Sequence, residues 1–168
     1  EIVSRDWSSD VCSSDLGLHL AGQVASIAAR QTGRFGGFRM SFTLATWNIN
    51  SVRLRAGLVE RLMREELPDI LCLQECKSPV EKIPREVFEA LGYRWMVARG
   101  QKGYNGVAVF SKLPMQEARA EDWAQLGHAR HIAGRLDNGV TIHNFYVPAG
   151  GDIPDRAENE KFGQKLDF

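Results

Sequence analysis

The chain has 168 residues, 43% of them hydrophobic, with 21 basic and 21 acidic side chains and a formal charge of zero at neutral pH. That is enough for one domain with a real core, and the balance excludes a global electrostatic pull toward nucleic acid or membrane, so any polyanion-binding surface must be local. No run reaches the length of a membrane-spanning helix, and Cys12, Cys72 and Cys76 form neither a disulfide framework nor a zinc set, so a reduced, cytoplasmic protein is expected.

Residues 1–39 differ in character from the remainder of the chain and are read as a non-native leader, expected to be disordered. Within it, 6–16 (DWSSDVCSSDL) resembles the conceptual translation of a sequencing-library adapter, to be excluded from fold reasoning. Met40 is the natural start, because Phe42 to Trp47, rich in aromatic and branched residues, predicts the first strand. Ser51 is placed to cap a helix in which Leu54, Leu58, Leu62 and either Val59 or Met63 recur at helical spacing, and Pro68-Asp69 ends it. Ile70 to Leu73 is a short, continuously apolar run, consistent with a strand covered on both faces. A second helix is predicted from Pro84 to Leu91, stopped by Gly92.

Tyr93 to Ala98 predicts a strand, and Val107 to Phe110 another, with the glycine-rich loop RGQKGYNG of residues 99–106 between them. Ile132 to Leu136 and Val140 to Tyr146 flank Asp137-Asn138-Gly139, a hairpin turn. Residues from Arg156 to Phe168 read as helix. Strand, helix and buried strand in succession predict a layered α/β domain.

Two of these strands end in polar groups: Thr46-Trp47-Asn48-Ile49-Asn50 and Leu73-Gln74-Glu75. Glu75 alone reads equally well as a surface acid beyond a strand, and Asn48 alone as a turn residue. Together they gain weight, because one sheet can bring both tips to one edge, and Mg²⁺ often takes only one or two protein carboxylates. The 99–106 loop is no P-loop, since the Gly-Lys-Ser/Thr ending is absent. It is either a plain connection or a phosphate-holding segment in which Lys102 and the loop amides meet phosphodiester oxygens and Tyr104 offers a stacking face. His128, Arg130 and His131 read as a surface loop, with Arg130 the best phosphate ligand. Tyr146 is a core residue or an exposed phenol facing phosphate, and Lys161 with Lys165 a solvated stripe.

Taken in order, these residues resemble the exodeoxyribonuclease III family of bacterial abasic-site endonucleases and exonucleases, within the endonuclease/exonuclease/phosphatase superfamily. The resemblance rests on ATWNINSVR (45–53), PDILCLQE (68–75), ALGY (90–93), GQKGYNGVA (100–108), NFYVP (144–148) and Lys161-Phe162. It implies a four-layer α/β sandwich of that type, of which residues 40–168 correspond to about the N-terminal half. It also implies Mg²⁺, with Mn²⁺ as a substitute, held by Glu75 as principal ligand and Asn48 as its partner, and Tyr146 against the attacked phosphate. Lys102, Tyr104, Asn105, Arg130 and Lys161 fall where the family grips the DNA backbone or the abasic nucleotide.

The implied activity is metal-dependent phosphodiester hydrolysis on double-stranded DNA, at abasic sites and from 3′ ends, by an enzyme monomeric at full length. Two departures stand out. Ala149 replaces the amide side chain the family carries after Tyr146-Val-Pro, and the family's Gly-Asp-x-Asn and late Asp-His motifs would fall beyond Phe168, so this fragment is expected to be inactive. The rival readings are a non-catalytic fragment or weak DNA-binding module, and another phosphoesterase of the superfamily such as a phosphoinositide phosphatase.

Overall fold

The computed structural model describes residues 2–6, 25–35 and 38–168, with side chains from Ser41 onward. Its centre is a strand–helix–strand unit. β3 (Phe38–Asn48) and β4 (Ile70–Gln74) run parallel, with Leu44 opposite Ile70 and Asn48 opposite Gln74. α1 (Ala56–Glu65) makes the crossover between them, as a parallel pair requires. The first sheet also holds β1 (Ile2–Asp6), β2 (Ala25–Phe35), β5 (Trp95–Arg99) and β6 (Val107–Ser111), in the order β1-β2-β3-β4-β6-β5.

The apolar run at Ile70 to Leu73 is explained by what covers it. Leu71 and Leu73 face a core with Val59, Leu62 and Met63 of α1 and Phe88 of α2 (Arg85–Glu89). Ile70 and Cys72 face the opposite way, into a second core with Met115, Ile132, Leu136 and Ile142. β6 alternates in the same sense, with Ala108 and Phe110 toward the helices and Val107 and Val109 toward the second core. Period-two alternation between two apolar layers gives a strand no polar position. The second core is closed by a separate antiparallel sheet of β7 (Met115–Arg119), β8 (His131–Leu136) and β9 (Thr141–Phe145). Helices, sheet and sheet therefore stack as layers, in agreement with the α/β sandwich expected.

Several local expectations change. Ser51 does not cap α1: its φ is 91°, that of Asn50 is 47°, and Leu54 is 84% exposed. Ser51 and Val52 instead donate their N–H groups to the carbonyls of Glu75 and Cys76 at 2.7 and 3.1 Å, so pairing beside β4 persists past Asn48 and delays the helix. The second strand pair, β5 and β6, forms as expected, although Tyr93 lies before β5 as a buried anchor donating to the Pro68 carbonyl at 2.6 Å. β7 has no apolar alternation: only Met115 is buried, and the exposed Gln116, Glu117 and Arg119 suit a sheet edge. α3 (Glu160–Asp167) starts later than Arg156, where the Asn159 side chain accepts from the Lys161 N–H.

Before Met40, β1 and β2 stand as backbone strands where disorder is the sequence expectation. β2 pairs antiparallel with β3, Ala29 opposite Leu44, and an unpaired strand edge is a template for any adjacent extended segment. Residues 7–24, which hold most of the adapter-like stretch, lie outside the described residues.

Candidate active site

The parallel register of β3 and β4 brings the Asn48 and Glu75 tips to one end of the first sheet. Asn48 Nδ2 donates to Glu75 Oε1 at 2.8 Å. The phenol of Tyr146, just past β9, donates to the same oxygen, also at 2.8 Å. The other carboxylate oxygen, Oε2, pairs with the Lys77 ammonium at 2.9 Å, and that ammonium donates to Asn50 Oδ1 at 2.6 Å. The Glu75 side chain is 18% exposed, so it is sheltered but reachable.

The two sheets are locked together beneath this cluster by Asn144, a buried residue of β9. Its Nδ2 donates to the carbonyls of Leu73 and Ala108, both at 2.9 Å, and its Oδ1 accepts from Gln74 Nε2 at 2.6 Å. A polar side chain in an apolar interface is tolerated because each of its groups is satisfied, and it sets Tyr146, two residues on, against Glu75. The far side is fixed by the glycine-rich loop. Cys76 and Lys77 donate their N–H groups to the carbonyls of Gly106 and Asn105 at 3.0 and 2.8 Å. Gly106 is required there: its φ is 90°, and a Cβ would lie 3.3 Å from the Cys76 Cβ and the Lys77 nitrogen.

Burial pulls the Glu75 pKa upward, but hydrogen bonds from Asn48, Lys77 and Tyr146 and the Lys77 charge outweigh it and hold the carboxyl below its ordinary value. Tyr146 is pushed up by burial and by Glu75, so its phenol remains a donor at neutral pH. Arg130 places its guanidinium 4.6 Å from the centre of the Tyr146 ring and donates through Nη1 to the Tyr146 carbonyl at 3.2 Å. Its Nε is buried without a hydrogen-bond partner.

Asn48, Glu75, Tyr146 and Arg130 thus converge as one group. Asn105 lies next to it but is 5% exposed, and its Nδ2 donates to Gln101 Oε1 at 3.0 Å, which holds the loop's shape. Tyr104 projects from the loop, edge-on to His128 at 6.0 Å, and Lys102 is exposed beside it. Lys161 is exposed on α3 and makes no described contact with the Glu75 group. His131 is not a loop residue: it opens β8 and is 0% exposed, covered by Trp123 and Phe145. Lys77 lies outside the motifs quoted above, and Asn50 and Asn144 lie within them but were given no role in the site. Lys77 carried one usable signal, its place two residues beyond Glu75.

The donor set suits a hard cation. Glu75 offers carboxylate oxygen and Asn48 an amide oxygen, the ligand types Mg²⁺ accepts alongside water and phosphate. Among the described residues no group of three or more His, Cys, Asp or Glu gathers as a metal cluster, so a cation here would rest on few protein ligands.

The model of the endonuclease/exonuclease/phosphatase family matches residues 45–166, which takes in the end of β3, the strands β4 to β9 and every member of the Glu75 group. The chain belongs to that family. It is 33% identical over 132 residues to exodeoxyribonuclease III of Haemophilus influenzae, an alignment covering 73% of this chain and 46% of the relative. Among solved structures it is similar to an AP endonuclease from Archaeoglobus fulgidus, with a TM-score of 0.64 and 34% identity over 73% of this chain and 46% of the other. A 3′ phosphatase from Neisseria bound to a product DNA hairpin matches with a TM-score of 0.60 and 32% identity, over 74% of this chain and 49% of the other. The chain therefore spans about half the length of these relatives.

Proposed function

We propose that this chain forms the N-terminal part of a Mg²⁺-dependent DNA-repair phosphodiesterase acting at abasic sites and 3′ ends, and that it supplies the cation-holding and phosphate-facing half of the site. The observation that carries this reading is the convergence of Asn48, Tyr146 and Lys77 on the single carboxylate of Glu75. Relatives named as exodeoxyribonuclease and AP endonuclease, and one solved with a DNA hairpin, support the substrate class.

In this reading Glu75 and Asn48 hold the cation, which when bound stabilises negative charge on the phosphate and leaving oxygens. Tyr146 keeps its proton and directs its phenol toward the same place, able to donate to a phosphate oxygen. Arg130, stacked on the Tyr146 ring, fixes that ring and presents charge to the phosphate. Lys102, Tyr104 and Lys161 lie exposed and serve as backbone and nucleotide contacts on DNA, with Asn105 holding the loop beneath them. An abasic nucleotide costs less to extrude than a stacked base, which favours it as substrate. A cytoplasmic location and a monomeric full-length enzyme belong to the same proposal.

The test is incision of duplex DNA bearing one abasic site, in Mg²⁺. The 168-residue chain alone is expected to give negligible incision. The protein carried on to the length of the Haemophilus relative is expected to incise, and Glu75→Ala in it to lower turnover by about two to three orders of magnitude, on the scale of losing charge stabilisation at the reacting centre, with DNA binding largely retained. Unchanged turnover in Glu75→Ala would remove the metal assignment, and hydrolysis of a phosphoinositide in preference to abasic DNA would move the substrate class.

A further inference from the structure

The position of Lys77 is unusual for a surface lysine. Its ammonium lies between two oxygens, Glu75 Oε2 at 2.9 Å and Asn50 Oδ1 at 2.6 Å. These are hard donors of the type a divalent cation takes. The backbone that carries the pair is held from both sides, by Ser51 and Val52 donating to the carbonyls of Glu75 and Cys76, and by Cys76 and Lys77 donating to those of Gly106 and Asn105. Glu75 and Lys77 both adopt left-handed backbone conformations, with φ of 53° and 48°. Two non-glycine residues in that region cost energy that an ordinary surface ion pair does not require.

We propose that Lys77 is the resident counter-ion of this site: its ammonium, held by Glu75 Oε2 and Asn50 Oδ1, competes with the divalent cation for Glu75. Lys77 is then a positioning residue that sets how much free cation is needed to load the site. It holds the carboxylate oriented through the Oε2 contact, and its displacement accompanies loading. The inference rests on the reading of Glu75 as a cation ligand. The physical ground is simple: two cations on one sheltered carboxylate repel each other, and the repulsion is stronger at a part-buried site than in water.

The test is Mg²⁺ binding to the 168-residue chain, measured by isothermal titration calorimetry and by the Mg²⁺-induced rise in Tm. Lys77→Met removes the charge while keeping the length, and Lys77→Arg keeps the charge. The expected result is affinity in Lys77→Met tighter by roughly tenfold, the change produced by removing about 1.4 kcal/mol of competition, with Lys77→Arg near the parent. Without Mg²⁺, Lys77→Met is expected to melt lower than the parent, because Glu75 loses its counter-ion. A purely structural lysine would lower that Tm and leave the Mg²⁺ affinity unmoved.

Binding by Lys77→Met alone supports both the inference and the cation site. Equal or weaker binding by Lys77→Met, with the parent binding and Glu75→Gln abolishing it, overturns the inference and leaves the cation site standing. Flat titrations in the parent, Lys77→Met and Glu75→Gln alike overturn both. Should Lys77→Met fail to fold, the side-chain ammonium resonance of Lys77 in the parent decides by NMR. A shift and faster proton exchange on adding Mg²⁺ support displacement, and an unmoved resonance at saturating Mg²⁺ overturns it.

Discussion

At the scale of single residues, the same physics appears in two places with opposite outcomes for charge. Glu75 keeps its charge because donors surround it. His131 loses the option of charge because its nitrogens are already assigned. The Glu121 N–H donates to His131 Nδ1 at 3.1 Å, so the neutral ring carries its proton on Nε2 and donates it to His143 Nδ1 at 3.0 Å. Burial above all, with the electrostatic influence of the adjacent His143 ring, pushes the His131 pKa below its ordinary value. An unfolded chain protonates this histidine near pH 6.5, so between that value and the lower folded one the unfolded state binds more protons and stability falls with acid. Urea unfolding should therefore show stability declining as the pH drops below about 6.5. His131→Phe, which keeps a ring between Trp123 and Phe145, should be less stable at neutral pH and lose most of that slope.

At the scale of elements, α1 shows how far periodicity reaches. The helical spacing of Leu54, Leu58 and Leu62 is real in the sequence, yet Leu54 is exposed and precedes the helix, while Val59, Leu62 and Met63 form its buried face. Periodicity reports which side of a helix is apolar but not where the chain becomes free to start it, and here that point is set by pairing beside β4. The contrast is measurable. Phe88→Ala should cost about 3–5 kcal/mol, since Phe88 is fully buried and meets Phe110 edge-on at 4.9 Å. Leu54→Ala should change stability by less than about 0.5 kcal/mol. Chemical denaturation of both variants checks the assignment of the face. β4 and β6 were legible because both their faces are apolar, and the β8–β9 hairpin because Asp137-Asn138-Gly139 suits its turn. β7 was not, because an exposed edge strand carries no hydrophobic alternation.

At the scale of the whole molecule, the outer side of the second sheet gathers aromatic rings that the core does not absorb. Trp123 stacks on Phe145 with ring centres 5.8 Å apart, and Phe168 meets both, at 5.3 and 6.4 Å. Phe145 is 44% and Trp123 40% exposed. A contiguous apolar patch of this kind favours association. Light scattering on the isolated chain should give a mass above 18.8 kDa that rises with concentration, and Phe145→Ser should bring it back toward the monomer. A monomer across the accessible concentration range would show that the patch is too small to drive contact in water.

The sequence by itself determined the strand–helix–strand opening, the buried character of Ile70 to Leu73 and the polar tips at Asn48 and Glu75. It also carried the ordered motifs by which the family is recognised. These are properties of local pattern, because apolar periodicity and turn residues record burial and backbone conformation one segment at a time. Only the tertiary structure decided who meets whom. Tyr146 reaches Glu75 across 71 positions of chain, and Asn144 ties β9 to carbonyls of β4 and β6. Lys77 turns back onto Glu75 and Asn50 through a left-handed backbone. Such contacts depend on hydrogen-bond geometry between strands set beside one another by packing, and no single segment encodes that geometry.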